Sequence, residues 1–197
     1  GSDGHRLSRV CKNLTLNPSA NAAEGIFPVK FIDLLGVNLD KNGDVRLRMS
    51  ANMVEVTWSA GQIRSTLIDG KYPDIKPFFD SAEKPLFTCS KAQVLNSIGR
   101  LKATVFEKLP SLGIHAENGE IKLSTLNDKQ EETGFDFMQA NIMDDSARVS
   151  INISYLSDAL SQIDDDEVRF SLVTANSLKV CSTSNPDFSA IIAQLRR

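Results

Sequence analysis

The feature that most constrains the fold is a pattern that occurs twice in the chain. In the first copy, an apolar helical segment is followed by Asp44-Val45-Arg46-Leu47 and then by Ala51-Asn52. In the second copy, a helical segment is followed by Glu167-Val168-Arg169-Phe170 and then by Ala175-Asn176. The copies lie roughly 120 residues apart, well beyond the ~20–50-residue period of solenoid repeats. The pattern therefore predicts a duplicated domain whose first copy lacks its front half.

Local patterns within each copy predict an α+β fold. Apolar and polar residues alternate over 45–50 and 54–58, which predicts a β-hairpin with one buried face. Asn118-Gly119 is typical of a tight hairpin turn. Ser90, with Gln93 three residues later, predicts a capping box at the start of a helix. Pro77 to Pro85 is interpreted as a linker, and the chain divides into domains 1–80, with the linker, and 81–197.

Composition narrows the functional classes. The chain has 197 residues, of which 41% are hydrophobic, and its net charge is −3. This charge argues against tight binding of nucleic acid through phosphate neutralisation and leaves room for local or weak contact. Three cysteines without a CxxC pair, and two histidines, argue against a zinc site and suit reduced cytosolic thiols. No apolar run approaches the ~20 residues that span a bilayer. The start at Gly1-Ser2, without Met, indicates a fragment.

Candidate catalytic and metal sites have simpler explanations. Asp3 and His5 could form a general base, but no nucleophile motif accompanies them, and a structural Asp-Gly turn is favoured. The acidic loop at residues 40–44 has its glycine at the wrong position for an EF-hand. The four acids at 164–167 are typical of a solvated turn. No catalytic residue, metal ligand or cofactor is therefore expected.

One helix carries cations whose role the sequence leaves open. Lys91, Arg100 and Lys102 lie on or beside it. They are interpreted either as a solvated helix face or as a surface that meets DNA phosphates weakly.

Four stretches, in order, carry a family resemblance. They are Ser-Asp-Gly-His-Arg-Leu at 2–7, Leu-Ile-Asp-Gly-Lys-Tyr-Pro-Asp at 67–74, Ile-Asn-Ile-Ser-Tyr-Leu at 151–156 and Gln-Leu-Arg-Arg at 194–197. The chain resembles the bacterial β sliding clamp, the processivity subunit of the replicative DNA polymerase. It departs from the family at Pro77, where Arg is frequent, and at Ala193-Gln194-Leu195, which replaces Met-Pro-Met.

The resemblance implies a fold and a non-catalytic function. Clamp domains have antiparallel sheets on one side and two helices per domain on the other. Two three-domain subunits close a ring around double-stranded DNA without reading its sequence. The implied partners are the catalytic subunit of DNA polymerase III, the clamp loader and other proteins with a clamp-binding motif, all in the cytoplasm. The chain would supply the rear of the middle domain and the whole third domain, and it is not expected to encircle DNA alone.

The resemblance also implies site residues. The peptide-binding groove would be lined by Gly4, His5, Arg6, Leu7, Pro73, Phe78, Asn152, Tyr155, Ala175, Ser177, Ile191, Gln194, Leu195 and Arg196. Leu7 is expected to lie near Leu195 or Ile191. The homodimer interface of the full-length form would include Ala103, Thr104, Val105 and Phe106. The alternative hypothesis is a truncated or divergent peptide-binding regulatory module that does not encircle DNA.

Overall fold

The structure, a computed structural model, describes residues 1–14, 23–40, 42–103, 105, 111–127, 131–185 and 187–195. The chain forms two compact units. The first unit combines Gly1–Asn13 with Ile75–Arg197, and the second is Leu14–Asp74. The amino-terminal strand β1 (Arg6–Val10) therefore belongs to the same unit as the carboxyl-terminal part of the chain.

The second unit is a helix followed by three strands. Its elements are α1 (Val29–Asn38), β2 (Arg46–Met49), β3 (Met53–Trp58) and β4 (Gly61–Thr66), and the sheet is antiparallel in the order β2-β3-β4. Val54 and Val56 are buried together with Phe31 of α1, so the predicted hairpin has a buried face. Leu47 is 55% exposed, although the alternation predicts burial. Helix α1 packs against β4, and β2 forms the opposite edge of the sheet.

The rest of the first unit contains three helices and nine further strands among the described residues. They are α2 (Lys76–Phe79), β5 (Lys84–Ser90), α3 (Lys91–Lys102), β6 (Ser111–Glu117), β7 (Glu120–Leu126), β8 (Glu132–Met138), β9 (Asn141–Ile142), β10 (Arg148–Asn152), α4 (Ile153–Ser161), β11 (Glu167–Thr174), β12 (Ser177–Ser182) and β13 (Phe188–Ala193). One antiparallel sheet has the order β1-β13-β12-β11-β5-β9, and the other has the order β10-β6-β7-β8.

A single large core joins both sheets to both long helices of this unit. Phe87 of β5 and Phe170 of β11 stack with ring centroids 4.5 Å apart. Ile98 of α3 and Leu156 of α4 are buried in the same cluster. Because every strand pair in the described residues is antiparallel, the predicted α+β class with antiparallel sheets is confirmed.

The predicted repeat appears in the topology. In the second unit, α1 precedes the neighbouring strands β2, β3 and β4. In the first unit, α4 precedes the neighbouring strands β11, β12 and β13. The duplicated sequence pattern therefore marks the same helix-and-meander element in both units.

Two turn predictions have different outcomes. Asn118 and Gly119 have φ values of 52° and 81°, as the tight turn between β6 and β7 requires, so the hairpin is confirmed. Helix α3 begins directly after Ser90, but among the described residues the Ser90 side chain makes no capping hydrogen bond. The predicted capping box is therefore wrong. The carbonyl of Asp166 accepts the Lys91 N–H at 2.8 Å, so the segment just before β11 supplies a hydrogen-bond acceptor at this helix start.

The segment interpreted as a linker is packed. It contains most of α2 and the first residues of β5, and Phe79 is buried. Within the described residues, no helix combines the length and the apolar character needed to cross a membrane.

Candidate functional site

The pairing of β1 with β13 brings the two ends of the predicted groove together. Leu7 lies directly opposite Ile191, and their side chains are 7% and 3% exposed. The predicted proximity of Leu7 and Ile191 is confirmed. They belong to a small cluster separate from the main core, called here the apolar cluster; its buried members are Leu7, Phe79, Val173 and Ile191, and Ile75 and Phe78 pack against it.

The turn before β1 is built by Asp3. Its Oδ1 accepts the backbone N–H groups of His5 and Arg6, each at 3.0 Å. Gly4, at φ +89°, occupies a conformation that favours glycine. Desolvation raises the pKa of Asp3, but hydrogen bonds from His5 and Arg6 outweigh it and leave that pKa below its usual value. The Asp3 carboxylate thus holds the turn, and its bond to His5 uses the backbone rather than the imidazole.

Arg6 turns to the opposite face of β1 from Leu7, because successive strand residues point to opposite sides. Its Nη1 donates to Asp158 Oδ2 at 2.6 Å, and its Nε donates to Asp3 Oδ2 at 2.9 Å. The guanidinium lies 4.5 Å from the centroid of the Tyr155 ring. Hydrogen bonds to Asp158 and Asp3 raise the pKa of Arg6. Arg6 therefore links the turn to helix α4.

Asn152 positions that helix. Its side-chain oxygen accepts the backbone N–H groups of Ser154 at 2.8 Å and Tyr155 at 3.3 Å. This is the usual way in which Asn satisfies the free donors at a helix start. Asn152 is 6% exposed, so its role in the described structure is to orient Tyr155 through the helix.

Some of the predicted groove residues fall into two sites. Arg6 and Tyr155 line an open cavity of about 490 Å³, whose wall also includes Asp158, Ala190, Ile191 and Ile192. Leu7 belongs to the apolar cluster, and Ile191 belongs to that cluster as well as to the cavity wall. Arg6 and Leu7 are separated by the two-residue alternation of β1, which sends Arg6 to one face of the sheet and Leu7 to the other.

The carboxyl-terminal segment is held mainly through its backbone. Three of its N–H groups donate to carbonyls in three other segments: Ala193 to His5 at 2.9 Å, Gln194 to Asn176 at 2.8 Å, and Leu195 to Ser150 at 2.8 Å. The Gln194 side chain also donates to the Ala175 carbonyl at 3.0 Å. Ser177 is buried and pairs with Ala193 in the sheet. These bonds bring Ala175, Ser177, Gln194 and Leu195 to one end of the sheet.

One further predicted groove residue, Pro73, belongs to the second compact unit. Arg196, Thr104 and Phe106 lie outside the described residues. Of the remaining dimer-interface candidates, Ala103 is exposed and Val105 is half-buried.

The cations on and beside α3 have intramolecular partners in two cases. The Lys91 ammonium donates to the Ile163 carbonyl. Arg100 donates to Asp136 and, at 3.1 Å, to Ser97. Desolvation raises the pKa of Asp136, but the Arg100 hydrogen bond helps to bring it below the usual value. Lys102 is exposed in the last turn of α3.

Across the described part of the chain, no group of three or more His, Cys, Asp and Glu side chains could hold a metal ion.

Sequence reasoning missed three residues of these sites. Phe79 and Val173 complete the apolar cluster, and Asp158 binds Arg6. The adjacent aromatic pair Phe78-Phe79 after Pro77 was a usable signal, because a segment with two phenylalanines is seldom a solvated linker. The sequence contains no comparable signal for Asp158, since its partner Arg6 lies far away in the sequence.

Comparisons with known proteins agree with this architecture. Two family models match in order: the central domain of the DNA polymerase III beta subunit over residues 1–74, and its C-terminal domain over residues 79–196. A beta sliding clamp of Pseudomonas aeruginosa is 26% identical over 197 residues, which cover 100% of this chain and 53% of the relative. One from Borreliella burgdorferi is 25% identical and covers 97% of this chain and 49% of the relative.

Solved structures show the same similarity. The crystal structure of the DNA polymerase III subunit beta from Pseudomonas aeruginosa matches with a TM-score of 0.89 at 26% identity, over 100% of this chain and 54% of that one. The Caulobacter crescentus pol III beta structure matches with a TM-score of 0.86 at 22% identity. The match covers 100% of this chain and 53% of that one, and it shows the shared fold. The chain spans about half the length of these relatives.

Proposed function

The chain belongs to the DNA polymerase III beta subunit family, the bacterial β sliding clamps, and from this membership we propose that it acts as part of a sliding clamp that tethers DNA polymerases and repair proteins to DNA. The role is non-catalytic: the chain binds partner proteins and holds them on DNA, and these partners carry out the chemistry. The proposal includes a cytoplasmic location, because bacterial DNA is replicated there. Both family models match in the expected order, which favours the clamp over a separate regulatory module.

The pairing of β1 with β13 is the observation that carries the binding part of the proposal. β1 lies within residues 1–74, which match the central-domain model, and β13 lies within residues 79–196, which match the C-terminal model. The two stretches meet at Leu7 and Ile191 in the apolar cluster. We propose that this cluster binds the apolar anchor of a short partner peptide, because buried apolar anchors dominate the energy of most protein interfaces.

Polar groups near the cluster would orient the peptide. His5 is exposed beside β1, and Gln194 is half-buried at the end of the sheet. Both can exchange hydrogen bonds with an extended peptide backbone or with a glutamine side chain. Arg6 and Asn152 contribute indirectly, since they hold the turn and helix α4 in place.

The proposal for DNA and for assembly follows the family. Residues 1–80 would form the rear of the middle domain with its linker, and residues 81–197 the third domain. A full-length homodimer would enclose double-stranded DNA, with Ala103, Thr104, Val105 and Phe106 at the subunit interface and with Lys91, Arg100 and Lys102 facing the DNA weakly. The clamp loader and the catalytic polymerase subunit would be partners. A net charge of −3 suits a ring that holds DNA without many phosphate contacts.

A peptide titration tests the binding site. The probe is a fluorescently labelled peptide with a glutamine followed by leucine and phenylalanine, and fluorescence anisotropy gives its Kd. We expect Leu7→Asp to raise the Kd at least about 30-fold, since loss of an interface hot spot costs about 2 kcal/mol. Val10→Asp is the matched control, because Val10 lies on the same strand but is 61% exposed.

Two results would contradict the proposed function. One is the absence of peptide binding by the unmodified chain at concentrations where a family clamp binds. The other is an equal Kd for Leu7→Asp and the unmodified chain when circular dichroism shows that the variant is folded.

A further inference from the structure

The apolar cluster is closed in this structure. Leu7, Val173 and Ile191 are 7%, 8% and 3% exposed. Phe79 packs with them and is 9% exposed itself. A peptide anchor needs accessible apolar surface to bury. Since these side chains offer so little surface, an anchor could reach them only by displacing a side chain that packs in or against the cluster, and Phe79 is one of these.

The element that carries Phe79 depends on its surroundings. Helix α2 is a single turn of four residues, Lys76–Phe79, and among the described residues it has no side-chain capping bond at its start. Helices this short are unstable in isolation, because a first turn fixes several residues for very few hydrogen bonds. The position of Phe79 is therefore set by tertiary contacts, which a competing ligand can replace.

One strand supplies two residues that are associated with Phe79. Leu7 and Arg9 lie two residues apart on β1 and so point to one face of the sheet. Leu7 contributes to the cluster, while the Arg9 guanidinium lies 3.9 Å from the centroid of the Phe79 ring. Arg9 also lies 4.0 Å from the Asp80 carboxylate. Arg9 thus holds Phe79 in the cluster by a cation–π contact, and its weak ion pair with Asp80 holds the residue that follows.

A second contact anchors the chain that follows α2. Lys179 of β12 pairs with Glu83, and their side chains are 10% and 27% exposed. Lys179 lies opposite Ile191 in the sheet, so this ion pair is next to the cluster. The Glu83 end of the segment is tied to the sheet by a shielded charge pair. The Phe79 end relies on apolar packing and on one partly exposed arginine.

We propose that Phe79 is a specificity-determining residue of the groove, which occupies the apolar cluster until a peptide anchor displaces it. The inference rests on the proposed peptide-binding function. A peptide anchor that binds the cluster buries its own side chain but exposes that of Phe79. An anchor alone therefore gains little net burial of apolar surface. Partners with further contacts along the groove are then selected over those with an anchor alone.

Occupation by Phe79 weakens the apparent affinity for any peptide. If the open form is a minor state populated at about 10%, the apparent Kd is about ten times the intrinsic one. Removing the phenyl ring removes this competition. We therefore expect Phe79→Ala to bind the glutamine-leucine-phenylalanine peptide about tenfold more tightly, with a faster association rate.

Two further variants make the test specific. Arg9→Gln keeps the ring but removes the cation that holds it, and it should tighten binding about two- to threefold by enlarging the open population. Phe135→Ala is the matched control, because Phe135 is a 58% exposed phenylalanine on β8 and outside the apolar cluster. Its Kd should equal that of the unmodified chain. Stopped-flow anisotropy gives the association rates, and thermal melting reports whether each variant is folded.

The outcomes separate this inference from the proposed function. Weaker or unchanged binding by a folded Phe79→Ala overturns the inference, because it makes Phe79 part of the binding surface or irrelevant to it. If Phe79→Ala does not fold, weaker or unchanged binding by Arg9→Gln overturns it equally. Failure of the unmodified chain and of every variant to bind the peptide contradicts the proposed function itself.

Discussion

Neighbouring residues in the Asp3–Leu7 stretch have different tasks because the backbone turns their side chains in different directions. The Asp3 carboxylate closes the turn through hydrogen bonds to two backbone N–H groups. Arg6 reaches across to Asp158 on α4, and Leu7 enters the apolar cluster on the opposite face. A stretch that could be interpreted as an acid–base pair thus shapes a turn and part of the proposed binding surface.

Gly4 gives a prediction at this scale. Its φ of +89° is unfavourable for a side chain, while open space surrounds the position of a Cβ atom. Gly4→Ala should therefore lower the free energy of unfolding by about 1–2 kcal/mol through backbone strain alone. Urea unfolding, monitored by circular dichroism, measures this change in the free energy of unfolding.

Gly99 is the matched control for that change. It lies inside α3 and is exposed, and a methyl group added there would also meet open space. Gly99→Ala should raise the free energy of unfolding by about 1 kcal/mol, because alanine is the better helix former. Effects of the same sign for both variants would show that Gly4 is not held in its left-handed conformation.

At the scale of elements, the two long helices of the first unit begin in different ways. Helix α4 starts at Asn152, whose side chain accepts two backbone N–H groups. Helix α3 starts at Ser90, where the Asp166 carbonyl accepts the Lys91 N–H. Both helices follow directly from strands, β10 and β5, so each start is fixed by a sheet as well as by a cap.

This difference predicts unequal effects of alanine substitution. Asn152→Ala should lower the free energy of unfolding by about 1 kcal/mol, the usual contribution of an N-cap side chain. Ser90→Ala should change it by only a few tenths, since no capping bond is lost. Urea denaturation of both variants measures this, and a comparable loss in Ser90→Ala would mean that its hydroxyl caps α3 in solution.

At the scale of the molecule, the two units differ in the size of their cores. The first unit buries side chains from two sheets and two helices in one large cluster. In the described part of the second unit, the corresponding cluster of buried residues consists of Phe31, Val54 and Val56, with Leu47 and Val37 among the exposed apolar side chains. A smaller buried core stabilises a unit less, because apolar burial is the main favourable contribution to folding.

Hydrogen exchange should reveal this difference. We expect backbone amides of β3 to exchange faster than those of β11 and β12, because local opening costs less where fewer apolar contacts are broken. Exchange of the intact chain, followed by mass spectrometry of its peptides, measures both sets together. Equal protection in the two units would contradict the prediction.

Features that depend on local chemistry were predictable from the sequence. The hairpin at Asn118-Gly119 follows from two residues that tolerate positive φ, and the α+β class follows from periodicity. The family resemblance at residues 2–7 and 67–74 also lies in the residues themselves.

Only the tertiary structure decided which side chains meet. Leu7 and Ile191 are far apart in the chain, and their contact depends on β1 joining a sheet whose other strands come from residues after 83. The same strand brings Arg6 to Asp158, and Phe79 shares a cluster with Leu7 and Ile191. Local sequence records how each strand alternates, but not which strand will lie beside it, because that choice is made by burial of surfaces contributed by distant segments.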